Sequence, residues 1–437
     1  MAITAIKNVN IITMNDEKEI IENGVVIVCG DTIEAVGKSD LLTKYKVDKE
    51  VDGENGILMP GMINGHTHAS MVAFRSLGDD VPDRLTRYLF PLEKELVDGE
   101  LVYLGAKYGI SEMLLGGVTT FTDMYFFEEK VAEAAKEMGI RAVLGETVVD
   151  FISPDSEVPY GGIEIGEAFI KKWKDDPLVT PAIAPHAPYT LDSEHLIECL
   201  KVAQDHDVPM IMHVAEMEFE TKKYQEEYSC SPIQYLNDIG VLSDRLIAAH
   251  CVSVSEDDLD LLERNKVGVI HNAGANSKGA KGVAPVVSMM KRGMKLGLGT
   301  DGPMSGNTLD IMTQMALVPK IHKLFNNDRS LLPARDVVEM ATIGGARAIH
   351  MADVIGSIEV GKKADLVVLE TKSVNMQPIF DYYSVLVYSA NPSNVSTVMV
   401  GGELVVMNKQ LTRHDLKQIQ DGIVSLKDSI YKVAKGI

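Results

Sequence analysis

Residues Met59–His68 read MPGMINGHTH. A short apolar run passes into Gly65-His66-Thr67-His68, so a strand is expected to end on two histidines. In extended backbone, residues i and i+2 point the same way, so both imidazoles can reach one ion. The sequence changes character on either side of this point. Upstream, AIKNVNIITM, GVVIVCG, DTIEAVG and Asp52–Leu58 read as short strands punctuated by Gly and Asp. Downstream, to about residue 355, short apolar runs alternate with longer amphipathic ones. Expected strands are Gly117–Asp123, Arg141–Thr147, Val179–Ala184, Pro209–Val214, Leu246–His250, Val267–His271 and Lys295–Gly299. Helical stretches such as Glu128–Met138, Ser193–His206, Glu256–Asn265 and Ala284–Arg292 lie between them. That alternation predicts βα units around a parallel sheet. With the unit opening at Met62, about eight units fit a (β/α)₈ TIM-type barrel of the α/β class.

The strand pattern returns in GSIEVGKKADLVVLE (356–370) and VSTVMVGGELVV (395–406), where Gly401-Gly402 reads as a hairpin turn. A polar helical tail begins near His414. The expected organisation is residues 1–58 and 356–437 as one small composite β-sandwich with a C-terminal helical tail, and 59–355 as a metal-dependent barrel.

The chain has 437 residues, 46% of them hydrophobic, enough for a large core. Its formal net charge of −21 argues against a nucleic-acid or anionic-membrane surface. A small-molecule substrate is the expected partner, with a homo-oligomer left open. The four cysteines include no C-x-x-C pair, no run is long and apolar enough to span a bilayer, and the first residues lack a signal peptide's apolar centre. A cytoplasmic location is expected.

Several histidines follow expected strand ends, where barrel enzymes place their chemistry. His66 and His68 follow the first barrel strand, His213 ends Met210-Ile211-Met212, and Asp301 follows Leu296–Thr300. Three neutral imidazoles and one carboxylate suit one divalent metal per subunit, Zn²⁺ or else Fe²⁺ or Mn²⁺, with room for a water. Glu216, in His213-Val214-Ala215-Glu216, is placed to act as general base and then acid for that water. His250 is placed to orient the attacking oxygen, and His186 to contact substrate. A two-metal barrel of this kind usually carries a bridging lysine carboxylate after the fourth strand; Val179–Ala184 and its turn contain no lysine, which favours one metal. Neither G-x-x-x-x-G-K-[ST] nor G-x-S-x-G occurs.

The motifs at Pro60–His68, His213-x-x-Glu216, His250 and Thr300-Asp301-Gly302 resemble the amidohydrolase superfamily. Within it, Pro91-Leu92-Glu93, GVTTFTDMY (117–125), PHAPYT (185–190) and GKKADL (361–366) resemble the 5-methylthioadenosine/S-adenosylhomocysteine deaminases. Triazine chlorohydrolases share much of the pattern. The resemblance covers nearly the whole chain. It implies one zinc on His66, His68, His213 and Asp301, and hydrolytic deamination of an adenine nucleoside to its inosine analogue and ammonia. It further implies that Glu216 moves a proton from water to the ring nitrogen and that His250 and Asp301 hold the attacking oxygen. Glu93 would bind ribose hydroxyls and His186 would contact substrate. The alternative is deamination or dechlorination of another aminated heterocycle, such as a triazine, a pterin or a guanine-like ring.

Three departures stand out. Ala69–Pro91 is about two residues shorter than in typical relatives and lacks their tryptophan. Glu146–Glu167 contains no arginine, which points toward a neutral 5′-substituent. His271–Val283, HNAGANSKGAKGV, is rich in small residues where relatives carry bulkier ones.

Overall fold

The computed structural model describes residues 1–436. Strands β1 (Ile3–Ile12), β2 (Ile20–Cys29), β3 (Thr32–Lys38) and β4 (Lys49–Pro60) come from the N-terminal end. The chain then turns at Gly61 straight into β5 (Met62–Thr67), the first of eight parallel barrel strands. The others are β6 (Val118–Tyr125), β7 (Arg141–Val148), β8 (Val179–Pro185), β9 (Met210–Val214), β10 (Leu246–His250), β11 (Gly268–His271) and β12 (Leu296–Leu298). They pair in sequence order from β5 to β12. These strands are apolar almost throughout and buried, as expected when helices cover the outside and side chains fill the inside.

The seam between β12 and β5 decides the site. The backbone amides of Thr300 and Asp301 both donate to the carbonyl of His66, at 3.2 and 3.0 Å. Asn64 reinforces it, donating to Thr300 Oγ1 at 2.8 Å and accepting from Thr300 N at 3.1 Å. The strands must approach closely here. A Cβ on Gly299 would stand 2.3 Å from Asn272 Oδ1, and one on Gly65 would stand 2.5 Å from Ile270. Closure therefore delivers Asp301 beside His66.

Both chain ends build one curled eight-stranded sheet, ordered β16-β15-β14-β13-β4-β1-β2-β3. Its C-terminal members are β13 (Leu366–Leu369), β14 (Val395–Val400), β15 (Glu403–Met407) and β16 (Gln410–Leu411). Ile6, Val26 and Ile33 from one end pack against Leu366, Val368 and Met399 from the other. Gly401 and Gly402, both at positive φ, make the β14–β15 hairpin turn. The expected strand at 356–370 begins only at Leu366. Gly356 and Gly361 before it take φ of 96° and 93°, a turning path. Sheet and barrel are locked together by Arg141 at the start of β7. Its guanidinium donates to both oxygens of Asp365, at 2.8 and 3.1 Å, and to Pro177 O at 3.0 Å, all out of solvent. The tail forms helices Leu416–Ser425 and Lys427–Gly436. Among the described residues no helix is long and apolar enough to cross a membrane.

Candidate active site

A cavity of about 630 Å³ opens at the C-terminal ends of the barrel strands, a size suited to a small-molecule ligand. At its floor, His66, His68 and His213 offer ring nitrogens that all lie within 4.8 Å of one another, and so do His66, His250 and Asp301. His68 Nδ1 lies 2.6 Å from Met124 O, and His213 Nδ1 lies 2.8 Å from His186 O. A carbonyl only accepts, so each Nδ1 carries the proton and each Nε2 keeps its lone pair. Those two lone pairs face each other across 3.3 Å. His66 is fully buried, and among the described residues neither of its ring nitrogens has a hydrogen-bond partner. Burial, then repulsion from neighbouring imidazoles, holds His66 and His213 well below the usual histidine range. Neutral imidazoles with convergent lone pairs beside a carboxylate fit a divalent cation, and the backbone carbonyls behind them fix the ring orientation.

Asp301 faces two ways. Oδ1 stands 3.4 Å from His68 Nε2, while Oδ2 stands 3.9 Å from His250 Nε2 and 3.8 Å from Lys281 Nζ. Burial opposes its ionisation, but Lys281 and the nearby histidines outweigh burial and keep it ionised. His250 Nδ1 lies 2.8 Å from Asn276 Oδ1, which leaves Nε2 as an acceptor 3.7 Å from Glu216 Oε1. Burial also pushes Glu216 up, but His250 and Lys281 bring it down to about 2. Ala215, His250 and Asp301 all adopt positive φ, of 49°, 75° and 62°. Such strained backbone concentrates at functional sites.

Glu93, on the helix Phe90–Leu96, lies on the cavity wall and accepts from Tyr125 Oη at 2.9 Å. Loss of water raises it to about 7. His186, just past β8, lies on the same wall, its ring 4.8 Å from that of His213, and burial lowers it to about 4. Six of the eight residues read from the sequence, His68, Glu93, His186, His213, Glu216 and Asp301, line this cavity, and His66 and His250 are buried in the cluster at its floor. His271 instead turns to His322, with 3.2 Å between their Nε2 atoms. Glu218 is exposed, whereas Glu220 is buried and caps the amides of Glu216 and Met217 at 3.1 and 3.0 Å.

Sequence reasoning missed Asn276, Lys281 and Arg84. The loop after β11 forms a short helix, Ala273–Lys278, whose Asn276 holds His250, and its next turn presents Lys281 to Glu216. Arg84 lines the cavity and donates to Met304 O and Ser305 Oγ. The cavity thus draws cations from Ala69–Pro91 and His271–Val283 although Glu146–Glu167 has no arginine.

Residues 57–405 match the amidohydrolase family. The chain belongs to that family. Amidohydrolase relatives cover almost its full length. A 5-methylthioadenosine/S-adenosylhomocysteine deaminase of Syntrophobacter fumaroxidans is 38% identical over 416 residues, 94% of this chain and 95% of that one. A protein of the same name from Thermodesulfovibrio yellowstonii is 39% identical over 403 residues, 91% and 92% of the two chains. Among solved structures, an adenosine deaminase from Xanthomonas campestris with bound zinc superposes with a TM-score of 0.96 at 30% identity, covering 98% of each chain. A zinc complex of atrazine chlorohydrolase from Arthrobacter aurescens superposes with a TM-score of 0.90, covering 97% of this chain and 100% of that one. At 23% identity that likeness speaks for the fold alone. This amidohydrolase is a hydrolase acting on C–N bonds.

Proposed function

We propose that this amidohydrolase deaminates an adenine nucleoside, 5′-methylthioadenosine, adenosine or S-adenosylhomocysteine, giving the inosine analogue and ammonia. The observation that carries the reading is the meeting of Glu216 and His250 above the three-histidine cluster, with Glu93 on the facing wall. The names of the relatives point to the same substrates.

In this reading His66, His68, His213 and Asp301 hold one divalent ion, Zn²⁺ by its taste for nitrogen donors and low coordination number. The bound ion would supply the Lewis acidity that brings the pKa of a water to about 7. His250 and Asp301 hold the attacking oxygen in line with the ring carbon that bears the amine. Glu216 takes the water's proton and passes it to the adjacent ring nitrogen, so the carbon can become tetrahedral without a full anion on the ring. Asp301 then takes the proton of the added hydroxyl and hands it to the amine, which leaves as ammonia while the carbon–oxygen double bond forms. Glu93 accepts from the ribose hydroxyls, and His186 contacts the substrate beside His213.

The test is direct. Zinc-loaded protein is incubated with the three nucleosides while adenine absorbance and released ammonia are followed. Turnover of at least one is expected. Turnover of none would overturn the substrate assignment and leave the family membership intact.

A further inference from the structure

Among the described residues, one side chain hydrogen-bonds the carboxylate of Glu216, the assigned proton shuttle, and that is Lys281. The Lys281 ammonium donates to Glu216 Oε1 and stands 3.8 Å from Asp301 Oδ2. The two side chains of the Lys281–Glu216 pair are only 10% and 16% exposed. Two carboxylates in one shielded cavity repel each other, and an ammonium between them offsets that repulsion. The placement spares the histidine cluster, because His68 faces the other oxygen of Asp301. Lys281 is also tied to the residue that orients His250. Its amide donates to Asn276 O at 2.9 Å, while Asn276 Oδ1 holds His250 Nδ1. One turn after β11 thus reaches both groups that flank the reacting water. A lysine stem crossing a buried wall loses rotamer freedom, so this contact must be worth more than that loss.

We propose that Lys281 is a positioning residue: its ammonium sets the Glu216 carboxylate at a fixed place beside Asp301 and His250. Part of the argument rests on the hydrolytic reading above, so the test has two arms. The first is crystallographic and needs no turnover. In zinc-loaded wild-type crystals, Glu216 is expected within hydrogen-bond distance of Lys281 Nζ; in Lys281→Met crystals its carboxylate is expected to shift or lose order. The second is kinetic. Lys281→Met is expected to lower kcat about 10²-fold with KM within about threefold, since misplacing a reacting group weakens the transition state more than substrate binding. Lys281→Arg keeps the charge and is expected to recover much of kcat. Zinc content and melting temperature are expected to stay at the wild-type level in both variants. A loaded wild-type crystal with Lys281 turned away from Glu216 overturns the proposal. So does a Met variant with unchanged kcat, or an Arg variant no better than Met. If wild-type protein turns over no nucleoside, the substrate reading falls, and the crystallographic arm alone decides the role of Lys281.

Discussion

Glu93 is the residue whose chemistry is easiest to put at risk. Burial lifts its carboxyl to about 7, so its charge changes within the working range of a neutral enzyme. If Glu93 binds two ribose hydroxyls, the ionised form is the better partner, because it accepts with both oxygens and the bonds are charge-assisted. With a pKa of about 7, about one-tenth of the free protein is ionised at pH 6 and about nine-tenths at pH 8. Binding through the carboxylate alone then makes KM fall about tenfold from pH 6 to pH 8. Glu93→Gln removes the charge and is expected to raise KM by about ten- to hundredfold, from about 1.5–3 kcal/mol of charged hydrogen bonding. It is also expected to flatten the pH dependence of KM. The assay is the loss of adenine absorbance under initial-rate conditions at several pH values. Each nucleoside is compared with its 2′,3′-dideoxy analogue, which isolates the hydroxyl contact from effects on the water and Glu216. The dideoxy KM should be high and insensitive to pH. The same KM slope in Glu93→Gln, or with the dideoxy substrate, would refute the assignment.

Four further outcomes are expected. Glu216→Gln should lower kcat about 10²–10⁴-fold, as for loss of a general acid–base group, while zinc content by elemental analysis stays unchanged. Chelation should abolish turnover, and reloading should restore it at one metal per chain; a second tight equivalent would contradict the single-ion reading. Arg141→Ala should destabilise by about 3–5 kcal/mol in a urea titration, because Asp365 would be left buried without its guanidinium. Glu128 is fully buried, and burial plus the neighbouring Asp123 and Glu146 hold it well above the usual carboxyl range. The native state therefore keeps a proton that the unfolded chain has released above about pH 4.5. Stability should fall by about 1.4 kcal/mol per pH unit from this group as pH rises toward its native value, and Glu128→Gln should remove that slope.

The barrel and its floor were legible because two simple periods fix them. Apolar runs of strand length alternate with helical ones, and each strand's last residues necessarily point into the mouth. His66, His68, His213, His250 and Asp301 follow from that rule, and the barrel strands found agree with those read from the sequence to within two residues at either end. Glu93 did not follow from it. It lies on a helix within the long segment between β5 and β6, and only resemblance singled it out. GSIEV failed for a different reason. Its alternation suits a strand, but the flanking glycines take up positive φ and carry the chain through turns toward Leu366.

Asn276 and Lys281 mark where such reading stops, and the reason is physical. A strand end inherits its direction from the sheet, whereas a loop residue's partners depend on how the barrel closes. Lys281 lies 65 residues from Glu216 in sequence, and the stretch Ser277–Gly282 shows only small residues and two lysines. Those lysines behave differently. Lys278 pairs with Asp79, tying loops together, while Lys281 reaches the proton shuttle. The arginine-free Glu146–Glu167 pointed toward a neutral 5′-substituent. Arg84, Lys278 and Lys281 line the cavity nonetheless, because the loops Ala69–Pro91 and His271–Val283 fold over one mouth and bring their own charges. Lys278 and Lys281 are already paired with Asp79 and Glu216, so a carboxylate-bearing 5′-tail would have to be met by Arg84. Relative kcat/KM for 5′-methylthioadenosine and S-adenosylhomocysteine, in wild type and in Arg84→Met, decides it. A selective loss on the carboxylate-bearing substrate assigns Arg84 to its tail, and equal effects on both remove Arg84 from recognition.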